Sequence, residues 1–134
     1  MTEFEFKERT KAFALRVMML TNALPRSRAA DVFGRQLLRS ATSVGANYRS
    51  ACRARSRAEF VSKLSIVEEE ADESAYWLEL LVEGKLIPAE RLTELRQEAD
   101  EIVAMTAASK KTARSREQQS KIDNRKSKIT RVSK

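Results

Sequence analysis

Four stretches of this chain repeat one spacing of apolar side chains, alternating steps of four and three residues, and each is bounded by residues that start or stop a helix. In the first, Phe6, Thr10, Phe13, Val17, Leu20 and Leu24 share a stripe, with Thr2 and Glu5 as a capping-box pair ahead of it and Pro25 closing it. In the second, Phe33, Leu37, Ser40, Val44, Asn47 and Ala51 continue the rhythm after Ser27 as N-cap. The third opens on a second capping box, Ser56 with Glu59, and runs Phe60, Leu64, Val67, Ala71, Ser74, Leu78, Leu81, with Gly84 as a left-handed cap beyond it. The fourth carries Leu92, Leu95, Ala99, Ile102 and Thr106, with Pro88 in its first turn and Leu86 and Ile87 covering the bundle end. The spacing predicts helices over about 3–23, 28–53, 57–83 and 88–108.

Helices of this length joined by short links must fold back on one another, because a short link cannot reach the far end of the preceding helix. The expected fold is therefore all-α, an antiparallel up-down-up-down four-helix bundle with shallow left-handed crossings of about 20°. A chain of 134 residues supports one such core and not two, and only three glycines and two prolines interrupt it. Gly45, Ala41, Ala46 and Ala51 mark helix 2 as the one a neighbouring backbone can approach closely. From Ser109 to Lys134 the apolar rhythm fails. That basic tail buries too little surface to offset its ordering and is expected to be disordered, or a frayed continuation of helix 4.

The formal charge of +7 is unevenly distributed. Residues 1–108 hold 16 basic and 17 acidic side chains, net −1, whereas residues 109–134 hold ten basic and two acidic, net +8. Within the bundle, Arg26 to Arg57 has eight arginines against Asp31, and Ala58 to Glu83 has eight acids against Lys63. A hairpin turning near Arg55 and Ser56 would set Arg39 by Asp72, Arg28 by Glu83, Arg53 near Glu59, and Asn47 by Leu64 within reach of Ser65 or Glu68. The helix 2 arginines then either pair with helix 3 and fix register or stay free to meet phosphates. Arg49, Arg53, Arg55 and Arg57 have the fewest acids nearby and are the bundle's best anion-binding candidates. In the tail, the candidates are Lys110, Lys111, Arg114, Arg116, Lys121, Arg125, Lys126 and Lys128, with Arg131 and Lys134 beyond them.

The chain has no histidine, which removes the commonest general base and transition-metal ligand. Its one cysteine, Cys52, allows no internal disulfide and reads as a small packed residue. The acidic run Glu68, Glu69, Glu70, Asp72, Glu73 lacks the Glu-x-x-His pairs of carboxylate-bridged metal centres. Phosphate-binding glycine loops, Cys-x-x-Cys and a Ser/His/Asp set are absent. The reading is a non-enzyme without cofactor or metal. No signal-peptide pattern or 18-residue apolar run occurs, so a cytoplasmic protein with no membrane contact is expected. Ser40 and Asn47 read as a structural polar seam that sets register, as an Asn does in a coiled coil. Trp77 falls beside the seam held by Ser74 and Leu78, in core packing or at an interface.

The segment RQLLRSATSVGANYRSACRARSRAEF, through Gln36, Leu37, Arg39, Ser40, Ser43, Val44 and Asn47, then Arg55, Ser56, Glu59 and Phe60, resembles the signature of bacterial four-helix-bundle proteins of the 23S rRNA intervening-sequence family. The resemblance runs from about Phe4 to Ala108 and leaves out the tail. It implies a short antiparallel bundle, a homo-oligomer assembled as a ring of five, and kinship with basic accessory proteins that bind nucleic acid and a reverse transcriptase in diversity-generating retroelements. Where the family pattern has Asn-Ile-Ala-Glu-Gly, this chain has Asn47, Tyr48, Arg49, Ser50 and Ala51. The expected function is thus a non-catalytic, oligomeric protein associated with RNA or DNA. The alternative is a protein-interaction or scaffold module whose bundle meets a protein partner.

Overall fold

A computed structural model describes residues 1–132, with side chains to residue 129; the Arg131 side chain and Lys134 of the basic tail lie outside the described residues. The chain forms α1 (Glu3–Asn22), α2 (Arg28–Cys52), α3 (Arg57–Glu83), a single 3-10 turn (Ala89–Arg91) and α4 (Thr93–Val132). The four helices pack in chain order, α2 on α3 and α3 on α4, with α1 seated chiefly on α2. The bundle expected from the heptads is the one observed.

The starts of α1, α2 and α3 are fixed by the residues that the sequence offers for them. Thr2 accepts from the Glu5 backbone N–H at 3.1 Å while Glu5 accepts from that of Thr2 at 3.2 Å, closing the first capping box. Ser27 caps α2 through the Ala30 N–H, and Ser56 caps α3 through the Glu59 N–H. The reciprocal half of the α3 box slips by one residue, because Glu59 accepts from the N–H of Arg55 rather than that of Ser56. α3 ends differently from expectation. Gly84 has φ −77°, and Lys85 takes the left-handed conformation at φ 59°. Gly84 is needed for closeness instead, since a Cβ there would sit 2.9 Å from the Leu80 carbonyl oxygen. Pro88 precedes the 3-10 turn rather than opening α4, and Ile87 is buried beneath it.

The core is a continuous apolar column with Phe13, Leu37, Leu64, Leu78, Leu81, Leu92 and Ile102 at its centre. On α2 the buried set is Ala30, Gly34, Leu37, Ser40, Ala41, Val44, Tyr48 and Ala51. Phe33 and Asn47, expected on the seam, are only half-buried. The difference arises because α2 is covered from two sides. Its arc toward α3 was legible, while its arc toward α1 is lined by small residues: Gly34 lies against Thr21 and Leu24, and Gly45 against Thr10. Tyr48 closes that arc against the edge of Phe6, ring centroids 4.5 Å apart.

Two ion-pair groups tie the bundle from outside. Arg9 of α1 donates from Nε to Glu98 Oε2 at 2.8 Å, and from Nη2 to Glu98 Oε1 at 2.6 Å and Glu101 Oε2 at 2.5 Å. That pairing raises the Arg9 pKa and lowers that of Glu98. Arg39 of α2 pairs with Glu70 at 3.2 Å and with Glu73. The expected partner, Asp72, is exposed instead, between the two residues that take its place. Among the described residues Arg28 and Arg53 form no ion pair, so the helix 2 arginines are only partly consumed by helix 3.

Of the two forms expected of the tail, the continuation of helix 4 is the one found. α4 does not end near residue 108 but continues as one helix through the basic segment to Val132. Local and tertiary contacts explain the continuation. Ala113, one heptad beyond Thr106, is buried on the bundle, and Lys110 pairs with Glu68 of α3 at 3.0 Å. Beyond them, the i,i+4 pairs Lys121–Glu117 and Gln119–Asp123 support the exposed turns.

Candidate nucleic-acid interface

α4 has 40 residues and α3 has 27. At 1.5 Å per residue the extra length must protrude from one end of the bundle. Antiparallel register fixes which end. Lys110 meets Glu68, and Arg57 Nη1 donates to Ser120 Oγ at 3.3 Å, so α4 draws level with the start of α3 at Ser120. The turns from Lys121 onward therefore project by roughly 18 Å past the α2–α3 turn. The arginine turn and the tail, separate in the sequence, share one end of the molecule.

At that turn Arg49, Arg53 and Arg55 line one depression of about 550 Å³, together with Lys63 and Glu59. Glu59 is engaged with the Arg55 backbone N–H, and none of the three arginines forms an ion pair among the described residues. Arg49 and Arg53 also line the neighbouring groove between α1 and α2, which holds Lys7 and Lys11. Those lysines are matched locally, Lys7 with Glu3 and Lys11 with Glu8. Arg57 does not line that depression and is turned toward α4 and its Ser120.

Lys63 was not among the candidates read from the sequence, although the hairpin pairing that set Arg39 by Asp72 puts it one residue from the position facing Arg49. On α4, Lys111, Arg114, Lys121, Arg125 and Lys128 recur at steps that keep them on one helical face, and all five are exposed. Lys121 carries a 3.8 Å pair to Glu117. Lys110 differs from its neighbours, since its side chain is 16% exposed and its ammonium is committed to Glu68. Arg116 lies against the α2–α3 turn beside Arg57, and Lys126 sits on another side of the projecting helix.

The polar seam divides in two. Ser40 is fully buried and shares a 2.9 Å hydrogen bond with Ser74 across the α2–α3 interface while donating to Leu37 O. Asn47 donates only within its own helix, to Ser43 O at 2.8 Å. Trp77 is half-buried beside Phe33, with ring centroids 6.0 Å apart, and its Nε1–H donates to Glu73. Tyr76, next to it, is 51% exposed.

Arg49, Arg53 and Arg55 gather at one place without ion pairs among the described residues. The Cys52 thiol is pushed up by burial and by Glu3, away from the thiolate needed of a nucleophile. Among the described residues no cluster of His, Cys, Asp and Glu could hold a metal ion, and no helix is long and apolar enough to cross a membrane.

These features define a small up-down-up-down helical bundle with one strongly cationic end. Its sequence matches the profile described as 23S rRNA-intervening sequence protein over residues 2–108, and the chain belongs to that family. The match stops within α4, before the projecting turns. Among solved structures, the chain is similar to a protein of unknown function from the S23 ribosomal protein family of Bacteroides thetaiotaomicron VPI-5482. That protein is 37% identical, with a TM-score of 0.77, and the similarity covers 83% of this chain and 99% of that one. No curated protein matches the sequence.

Proposed function

We propose that this protein is a non-catalytic, oligomeric, cytoplasmic binder of RNA or DNA whose contact surface is the end of the bundle where the α2–α3 turn meets the projecting part of α4. The observation that carries the reading is the shared location of Arg49, Arg53 and Arg55, without ion pairs, and the basic face of α4. Cations held without acidic partners at a helix end and in the short turn that follows it bind phosphates, and each contact releases condensed counterions. Oligomerisation, as in the ring of five that the resemblance implies, would multiply the effect by presenting several such ends together. A solvent-facing apolar row on α1, with Leu15 at 51%, Met18 at 41% and Met19 at 69% exposure, supports self-association.

The test is fluorescence anisotropy with labelled RNA and DNA, alongside light scattering for mass. Full-length protein should bind both. Replacing Arg49, Arg53 and Arg55 by alanine, or ending the chain at Arg114, should each weaken binding at least tenfold without unfolding the bundle. Unchanged affinity in both variants would refute the reading. Co-purification of a protein with no nucleic-acid binding would favour the scaffold alternative, in which the α1 row and Tyr76 meet a protein partner.

A further inference from the structure

Beside the arginine turn the bundle end opens into a cavity of about 700 Å³ to which all four helices contribute. Its character is divided. The floor is apolar: Tyr48, Ala51 and Ala113 are buried, and Phe60 is half-buried. The rim carries Arg55, Arg57 and Arg116, which form no ion pair among the described residues, and Glu3 stands among the lining residues. Glu3 is tied to Lys7 at 3.1 Å, which lowers its pKa and keeps it an acceptor at neutral pH.

An apolar, partly aromatic floor with cations along its rim suits a flat, weakly polar body bearing an anionic group. Duplex ends and grooves do not offer such a body, because their bases are stacked and paired. An unpaired nucleotide does. Arg55 lines both this cavity and the neighbouring depression with Arg49, Arg53 and Lys63, and Arg116 stands across the cavity on its α4 wall. A strand crossing the end would therefore find cations on both sides of the cavity.

We infer that the cavity seats one unpaired base of a single-stranded nucleic acid, its flanking phosphates held by Arg55, Arg57 and Arg116. The inference rests on the nucleic-acid reading above and adds to it the preferred form of the ligand and the place of one base. Glu3 accepts from the exocyclic amino group of such a base, which makes a cytosine strand the probe of choice.

Cys52 lines the cavity and is the chain's only cysteine, so its alkylation reports occupancy without any substitution. Full-length protein is titrated with a labelled oligo-C dodecamer and with a duplex of mixed sequence, and the rate of Cys52 modification by iodoacetamide is followed at saturation. The single strand should slow the modification about tenfold, and the duplex should leave it unchanged. Ala108→Trp, at an exposed position on the cavity wall, should weaken single-strand binding by about tenfold with duplex affinity kept, the scale of one base–aromatic stack. Tight single-strand binding with Cys52 unprotected would overturn the inference while leaving the proposed function standing. Failure of every oligonucleotide to bind would overturn both.

Discussion

Removing the tie between α1 and α4 should cost more than a surface ion pair. α1 contacts α4 only sparsely, and Arg9 bridges the gap with two hydrogen bonds to Glu98 and one to Glu101. The Arg9 and Glu98 side chains are 26% and 13% exposed. An exposed pair contributes about 0.2–1 kcal/mol and the breaking of a buried one costs about 3–5 kcal/mol, so Glu98→Gln should cost about 2 kcal/mol. For a domain of this size that is a fall of roughly 8 °C in Tm. The pH dependence gives an independent check. The guanidinium of Arg9 lowers the folded-state pKa of Glu98, so its contribution is present above the unfolded carboxylate value of about 4.3 and is lost as pH falls through the folded value. The stability gap between wild type and Glu98→Gln, measured by urea unfolding, should thus be full at pH 7 and shrink below about pH 4. A double-mutant cycle with Arg9→Gln should return a coupling of about 1–2 kcal/mol. Coupling below about 0.3 kcal/mol, or a gap that is the same at pH 3 and pH 7, would refute the reasoning.

Ser40→Ala removes the cross-helix bond but leaves Ser74 its acceptor at Glu70 O, so urea unfolding should show a loss of only about 1 kcal/mol. Trp77→Ala strips a half-buried ring from Phe33 and should lower stability by about 2 kcal/mol with the mass by light scattering unchanged; dissociation into folded monomers would instead make it an interface residue. Lys110→Ala frees Glu68 and loosens the hold of α3 on α4, so amide exchange should quicken from about residue 108 onward with little change over α1 to α3.

The bundle was legible because three of its helix starts carry their own caps and because heptad steps place Leu37, Leu64, Leu78 and Ile102 on inward faces whatever the partner. Register was less so. Arg39 was expected at Asp72 and is found at Glu70 and Glu73, since a count of residues does not show which way a helix faces. The burial of Gly34 and Ala30 is not legible in the sequence because small residues carry little apolar signal, yet they line the face that receives α1. The sequence leaves the tail open between disorder and a continuation of helix 4 for a related reason. Ala113 keeps the heptad step from Thr106, but the lysines around it read as solvated tail, and the Glu68 that receives Lys110 lies 42 residues earlier in the chain. Of the site, the arginine cluster could be read from composition; its meeting with the tail, and the cavity between them, required the helix lengths and the direction of α4.

The claim that the turn and the projecting helix form one phosphate-binding surface is tested most directly by the salt dependence of oligonucleotide affinity in three proteins: full length, the Arg49/Arg53/Arg55 alanine variant, and the chain ending at Arg114. The slope of log affinity against log salt falls by somewhat under one unit for each phosphate that the protein no longer neutralises. The slope should be shallower by about 2 units in the alanine variant and by about 3 in the truncated chain, on one and the same oligonucleotide. Slopes equal to that of the full-length protein in both variants would contradict it.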